Sequence, residues 1–241
     1  MNMVESESTP GRRSIFAASP QYKYMDSLVT VFVVILVISN VMGQKICAFG
    51  PLRVSGAQVL FPITYIFGDI FTEVYGYAAS RKAIWFGFFA SALLSVMSIV
   101  CVLLPAAPEW PNQHAFATVF YTVPRLVVAS LAAYWCGEFA NSYTLAKMKI
   151  LTEGKHLWTR TIGSTVVGQA VDSTIVMFVG FYGVVPVNTI VRLIISGYLA
   201  KVIYEAVMTP LTYLVVDFLK RKEKVDHFDY RTDFNPFVAS E

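Results

Sequence analysis

The stretch FPITYIFGDIFTEVYGY, residues 61–77, lies inside a hydrophobic segment long enough to cross a lipid bilayer, yet it carries two carboxylates. Asp69 and Glu73 are four residues apart, so a helix places them on one face, one turn from each other. A charged side chain at the bilayer centre costs roughly 2.5–3.5 kcal/mol on insertion scales. The chain must recover that free energy from a partner, a cavity or a ligand, and the stretch is therefore a candidate functional site.

The composition of the whole chain indicates an integral membrane protein. Of its 241 residues, 56% are hydrophobic and 15% are charged, and the mean hydropathy is +0.56. Soluble domains hold about 25% charged residues. The apolar runs are too long and continuous for the alternating segments of ~10 residues that form barrel strands. We therefore expect an all-α integral membrane protein.

Six apolar segments each exceed the ~20 residues that cross the hydrocarbon core. In chain order, spans 1 to 6 are residues 24–47, 56–79, 82–104, 118–144, 161–183 and 187–219. We predict one bundle of six transmembrane helices over residues 23–220, between a disordered N-terminal tail, residues 1–22, and a C-terminal tail, residues 221–241. Pro124 and Pro210 lie inside spans 4 and 6, where they predict kinks.

The distribution of basic residues predicts the orientation of the bundle. With the N-terminus inside, only Lys45 and Arg53 of the 19 Lys and Arg residues lie in external loops. Fourteen lie in cytoplasmic segments: Arg12, Arg13, Lys23, Arg81, Lys82, Lys147, Lys149, Lys155, Arg160, Lys220, Arg221, Lys222, Lys224 and Arg231. Because cytoplasmic loops carry an excess of Lys and Arg, both termini are predicted to be cytoplasmic.

A short pattern of glycine and polar residues recurs in spans 2, 4 and 5. In each case a glycine precedes an acid or its amide, and polar residues follow three and four positions after that acid or amide. We call these the polar segments, residues 68–73, 137–142 and 168–173. The polar positions share one helix face, and the glycine lets a neighbouring helix approach closely. Each of the three helices should therefore present one polar notch.

The spacing to flanking basic residues puts the three notches at a similar depth, ~13–18 Å from the inner boundary. Notches at one depth should meet in one cavity, with Asp69, Glu138 and Asp172 as its central acids. Gln169 and Asn141 would line the same cavity. In the alternative interpretation, the polar side chains form interhelical hydrogen bonds that only stabilise the bundle, at below ~1 kcal/mol each.

Basic residues within the spans provide candidate partners for these acids. Lys201 precedes Glu205 by four residues in span 6, so the two could form a local ion pair. Alternatively, Lys201 neutralises Asp69 or Asp172 in the empty cavity and is displaced when a ligand binds. Glu205 and Arg125 are candidates for coupling or gating, as is Glu73, which lies about a turn nearer the cytoplasm.

Aromatic side chains next to the acids indicate the kind of ligand. Tyr65 lies four residues before Asp69, and Trp135 lies three residues before Glu138, so each shares a helix face with an acid. Aromatic rings stack on flat molecules, and carboxylates accept hydrogen bonds from N–H groups. The combination favours a planar nitrogen heterocycle as substrate.

Several other functions lack their motifs in this sequence. His114, His156 and His227 all lie in loops or the tail, and neither HExxH nor GxSxG occurs, so we expect no metal site, no cofactor and no enzyme activity. Asp69 and Asp172 could imitate an intramembrane aspartate protease, which remains an alternative. No Walker-type phosphate loop, GxxxxGK[ST], is present, so the sequence gives no support for direct ATP drive by this chain.

Residues 61–77, the following Arg81-Lys82, and the later GEFANSY and TRTIGSTVVGQAVDS closely resemble the family of queuosine precursor transporters. The resemblance extends in order from span 1 to span 6. It implies a six-helix transporter, similar to the substrate-binding subunits of ECF-type vitamin transporters, in the bacterial inner membrane. The implied substrates are the 7-deazaguanine bases preQ0 and preQ1, which are salvaged for tRNA modification.

The resemblance is consistent with the chemistry of the polar segments. A deazaguanine donates from N1–H and from an exocyclic amine, and one carboxylate accepts both. Its O6 requires a donor, which Asn141, Gln169 or Lys201 could supply. The expected partners are thus a small deazaguanine molecule and the bilayer, with no nucleic acid. A substrate-capturing subunit that works with a separate energising partner is an alternative, and glycine-containing faces of spans 3 and 5 are compatible with a homodimer.

Overall fold

The computed structural model describes residues 22–42, 45–49, 52–56, 60–120, 124–183 and 186–237. The predicted N-terminal tail lies almost wholly outside these residues. Helix bounds are α1 Met25–Met42, α2 Phe61–Ile70, α3 Tyr77–Leu103, α4 Gln113–Phe120, α5 Pro124–Leu151, α6 Leu157–Phe181 and α7 Val187–Glu223. A π-helix, Phe71–Tyr75, directly continues α2.

The described residues are mainly helical, and four of their helices are long and apolar enough to cross a membrane. These are α1, α3, residues Leu157–Gly180 of α6, and α7. Large apolar side chains such as Phe89, Leu93 and Val207 point outward, whereas many polar side chains are buried inside the bundle. This distribution is typical of helices whose outer surface faces lipid, because hydrocarbon does not solvate polar groups.

The described residues confirm the all-α fold class, with one short hairpin between α1 and α2. Strands β1, Ile46–Phe49, and β2, Leu52–Ser55, form an antiparallel hairpin with Ile46 opposite Ser55 and Phe49 opposite Leu52. Span 1 was predicted to run to residue 47, but α1 ends at Met42. The apolar run ICAF reads equally well as the end of a helix or as a short strand, because four residues do not distinguish the two periods.

The boundary between spans 2 and 3 also differs from the prediction. The π-helix ends at Gly76, whose φ of +86° is a conformation that favours glycine, and α3 starts at Tyr77. Arg81, predicted to lie between the spans, and Lys82, the predicted first residue of span 3, are both inside α3. The basic residues suggested a loop, but the break between the two helices is the single residue Gly76, which precedes them.

The two prolines that were predicted to lie inside helices occupy different positions in the structure. Pro124 is the first residue of α5 rather than an interior residue, and the short helix α4 occupies the predicted start of span 4. Proline is well tolerated there because the first helical N–H needs no intrahelical acceptor. Pro210 does lie inside α7, which continues on both sides of it.

The bundle is organised around α2 and α5. Helix α5 packs along α6 and also contacts α2 and α3, while α6 contacts α7. Helix α2 contacts α1, α5 and α7. The polar segments therefore lie on three helices of which the middle one, α5, contacts both α2 and α6.

Residues 225–237, which follow α7, return across one end of the bundle, and we call them the strap. The Asp229 carboxylate accepts hydrogen bonds from the backbone N–H of Tyr77, the first residue of α3. Arg81 donates to the backbone oxygens of Asp233 and Asn235, and the Trp85 indole donates to the Pro236 oxygen. Much of the predicted C-terminal tail is thus held against the ends of the helices.

Candidate functional site

The three polar segments meet inside the bundle, and their glycines are the points of closest approach. A Cβ atom at Gly68 would lie 2.8 Å from Glu138 Oε2, and one at Gly137 would lie 2.8 Å from Asp172 Cβ. A Cβ atom at Gly168 would lie equally close, 2.8 Å, to Asn141 Cβ. Since real Cβ contacts are longer, a side chain at Gly137 or Gly168 would push α5 and α6 apart, whereas one at Gly68 would displace the Glu138 carboxylate.

Two polar contacts cross between helices at this meeting point. Asn141 Nδ2 on α5 donates to Asp69 Oδ1 on α2 over 2.8 Å. Lys201 Nζ on α7 donates to Asp172 Oδ2 on α6 over 2.5 Å. Of the three partners considered for Lys201, which were Glu205, Asp69 and Asp172, the structure shows an ion pair with Asp172 on another helix. Asp69 and Glu138 are almost completely buried, at 0% and 1% exposed, and Asp172 is 5% exposed.

Glu205 on α7 joins these acids. It is 2% exposed and is close enough to interact electrostatically with both Asp69 and Glu138. We call Asp69, Glu138, Asp172 and Glu205 the acid cluster. Four helices contribute to it, one acid each.

The acid cluster and the adjacent Asn141 contain acceptor oxygens that have no hydrogen-bond partner in the described part of the chain. They are Asp69 Oδ2, both carboxylate oxygens of Glu138, Asn141 Oδ1 and Glu205 Oε1. An unpaired buried polar group costs about 1–3 kcal/mol, and more if it is charged. Native structures leave few such groups, so a concentration of them indicates a place where a ligand supplies the donors.

Gln169 and Tyr65 border the acid cluster. Both are buried, and Tyr65 lies close enough to Asp172 and Glu138 to interact with them electrostatically. Lys201 Nζ is 6.0 Å from the centroid of the Tyr65 ring, within cation–π range. The structure thus gathers an aromatic face, an amide, a lysine and four acids.

Trp135 has a different environment from the one predicted. Its ring contacts Trp85, Phe139 and Phe237, with centroid distances of 5.8, 5.0 and 5.5 Å. These contacts lie on the side of α5 that faces α3 and the strap, so the structure does not bring Trp135 together with the acid cluster. The other predicted residue of α5, Arg125, has its side chain outside the described part of the structure.

Glu73 lies in a second set of charges, next to the strap. Its carboxylate accepts from Arg160 Nε over 2.6 Å and Arg160 Nη2 over 2.7 Å, which is a bidentate pair. Lys220 Nζ donates to Glu73 Oε1 over 2.5 Å, and Lys149 Nζ is 3.7 Å from the same oxygen. Lys149 and Lys220 also contact Asp226 of the strap, at 2.6 and 2.8 Å. We call these five residues the ion cluster.

Three of these cations were interpreted from the sequence only as markers of orientation. Arg160 and Lys149 are 1% and 0% exposed and pair with an acid 87 and 76 positions away along the chain. The positive-inside pattern already accounts for Arg160, Lys149 and Lys220. The sequence therefore provided no signal that these three pair with Glu73 while the other described Lys and Arg residues of the predicted cytoplasmic segments do not. The sequence did mark Glu205 as a candidate, because it lies one helical turn after Lys201.

Metal binding has no geometric support in the part of the chain that the structure describes. No group of three or more His, Cys, Asp or Glu side chains there could hold a metal ion.

Comparisons with known proteins agree with a transport role. The sequence model of the family described as "Putative vitamin uptake transporter" matches residues 55–215, which include α2, α3, α5, α6 and most of α7. A protein of Bacillus subtilis (strain 168) named "Probable queuosine precursor transporter" is 29% identical over 190 residues, 78% of this chain and 82% of the relative. No solved structure is significantly similar to the chain. The chain therefore belongs to the family described as "Putative vitamin uptake transporter". It is a multi-pass membrane transport protein rather than an enzyme.

Proposed function

We propose that this protein imports queuosine precursors, the 7-deazaguanine bases preQ0 and preQ1, across the bacterial inner membrane for tRNA modification. The observation that carries the proposal is the set of open acceptors in the acid cluster, on helices that belong to a transporter family. The name of the Bacillus subtilis relative supports the choice of substrate.

The transport path requires a complete bundle. In our proposal, α2 with its π-helical extension and α5 make two further crossings beside the four apolar helices, giving six. This arrangement would be similar to that of the substrate-binding subunits of ECF-type transporters. The excess of Lys and Arg at the strap end supports a cytoplasmic location for that end and for both termini.

The chemistry of a deazaguanine complements the acid cluster. Its N1–H and exocyclic amine are adjacent donors, and a carboxylate can accept both. Its O6 is an acceptor, for which Asn141, Gln169 and Lys201 are the candidate donors. Tyr65, beside Lys201, offers an aromatic face to the flat ring.

Uptake of labelled preQ1 and preQ0 into cells that lack their own importer tests the proposal. We expect Asp69→Asn and Glu138→Gln each to reduce uptake by about tenfold or more, because each removes an acceptor that is charged when ionised. Glu109→Gln, at an exposed position between α3 and α4, is the matched control and should transport as the wild type does. Wild-type rates in both site variants, at equal expression, would refute the site.

A second experiment separates an autonomous importer from a substrate-capturing subunit. We expect the purified protein in liposomes to take up substrate without any added ATPase. Uptake that appears only with a separate energising partner would favour the subunit. An imposed pH gradient in the same liposomes distinguishes proton coupling from facilitated diffusion, because only a coupled importer responds to the gradient.

A further inference from the structure

The open acceptors of the acid cluster are distributed unequally among the acids. Glu138 has both oxygens without a partner in the described residues, whereas Asp69 and Glu205 each have one such oxygen. Asp172 is engaged by Lys201, and the other Asp69 oxygen accepts from Asn141. Only Glu138, among the described acids of the cluster, is therefore open to two parallel hydrogen bonds.

Charge is also unbalanced in the acid cluster. Lys201 is the basic side chain that contacts it in the described part of the chain, and this lysine pairs with Asp172. Asp69, Glu138 and Glu205 remain, and Asp69 and Glu205 each present one open oxygen from α2 and α7, two helices that contact each other. A buried carboxylate is stable when paired with a positive charge, so the cluster favours a ligand that brings one.

The two substrates of the proposed function differ in this property. At the same ring position preQ1 carries an aminomethyl group, which is a cation, and preQ0 carries a neutral nitrile. Both share the two-donor edge of guanine. A site can therefore bind the common edge with one acid and distinguish the substituents with another.

Building on the proposed function, we propose that Glu138 accepts the two-donor edge of either base, while Glu205, together with Asp69, binds the ammonium of preQ1. Glu205 is then the residue that determines specificity. It comes from α7, whereas Glu138 comes from α5, so the two acids approach the ligand from different helices. The site prefers the cationic base because only that base brings a positive charge to the Asp69–Glu205 pair.

Equilibrium binding of both bases to the purified full-length protein tests this assignment. We expect the wild type to bind preQ1 about tenfold or more tightly than preQ0, since a hydrogen bond between charged groups is stronger than a neutral one. Glu205→Gln should remove most of that preference and change preQ0 affinity by less than about threefold. Glu138→Gln should weaken both bases by a similar factor, about 30-fold, and Glu109→Gln should change neither.

The outcomes separate the two proposals. Equal wild-type affinity for the two bases would overturn the role of Glu205 without any variant, and so would an equal loss of both bases in Glu205→Gln. If the wild type binds neither base, the proposed function itself fails, and the assignment fails with it. Should Glu205→Gln not fold, Glu205→Asp retains the charge on a shorter side chain, and it should weaken preQ1 more than preQ0.

Discussion

Asp69 and Glu73 lie one turn apart on the same continuous helical segment, yet their surroundings are opposite. Glu73 contacts three cations, Arg160, Lys149 and Lys220, in the ion cluster. Asp69 has one amide donor, Asn141, and the charged side chains that interact with it are other acids. Both carboxylates are fully buried, at 0% exposed. The difference teaches that burial of an acid in a membrane protein does not indicate its role, whereas its partners do.

The change from α-helix to π-helix separates the two environments. Asp69 belongs to α2, and Glu73 belongs to the π-helix that ends at Gly76. A π-turn rotates the side chains that follow it relative to a regular α-helix, and such turns are frequent at functional sites. Lys149 Nζ also donates to the backbone oxygen of Glu73 over 2.6 Å, so the cation stabilises the π-helix as well as the carboxylate.

Glu73→Gln should have the largest effect on stability. The substitution leaves Arg160 and Lys149 buried with less negative charge to pair with, and breaking a buried ion pair costs about 3–5 kcal/mol. We expect a loss of that size in the free energy of unfolding, measured by denaturant titration in detergent. Glu109→Gln, on the exposed loop, should stay within about 0.5 kcal/mol of the wild type. A loss below about 1 kcal/mol in Glu73→Gln would contradict a structural role for the ion cluster.

Glu138→Gln should show the reverse pattern. Because Glu138 has no hydrogen-bond partner in the described residues, removing its charge should change the free energy of unfolding by less than about 1 kcal/mol, or raise it. Ligand affinity should nevertheless fall by about 30-fold. Denaturant titration and binding on the same preparation measure both quantities. A destabilisation as large as that of Glu73→Gln would mean that Glu138 also supports the fold.

The smallest expected effect concerns the strap and depends on pH. Burial by itself would raise the pKa of Asp229, but hydrogen bonds from His227, Thr232 and the Tyr77 N–H outweigh it and hold this pKa below the ordinary value. A lowered folded-state pKa stabilises the protein above the unfolded pKa of about 3.9, and that stabilisation is lost as the pH falls through the folded pKa. Asp229 also places negative charge at the first residue of α3, a contribution of about 0.3–1 kcal/mol.

Asp229→Asn tests this link between the strap and α3. We expect the unfolding temperature of the wild type to fall more steeply than that of the variant as the pH is lowered from 6 to about 3. At pH 7 the variant should be less stable by no more than about 1 kcal/mol. Parallel curves for the two proteins would show that the charge of Asp229 does not stabilise the fold.

Local patterns in the sequence predicted the main elements and the residues of the acid cluster. Apolar runs of membrane-spanning length indicated α1, α3, α6 and α7, because hydropathy and helix period are properties of a continuous stretch. The repeat of glycine, acid and polar residue marked Gly68, Gly137 and Gly168, which the structure places at the close contacts between helices. The sequence also brought Lys201 into the same candidate site.

Which charged side chains pair with each other, in contrast, was decided by the tertiary structure. Glu73 pairs with Arg160 and Lys220, which follow it by 87 and 147 positions, and Lys201 pairs with Asp172 on another helix. Trp135 shares a helical face with Glu138 by spacing, but packing against Trp85 and the strap turns its ring elsewhere. By itself, then, the sequence determined which charges enter the membrane, since that follows from local composition. Which charges are neutralised and which stay open depends on distances between helices, and those distances are fixed only when the helices pack.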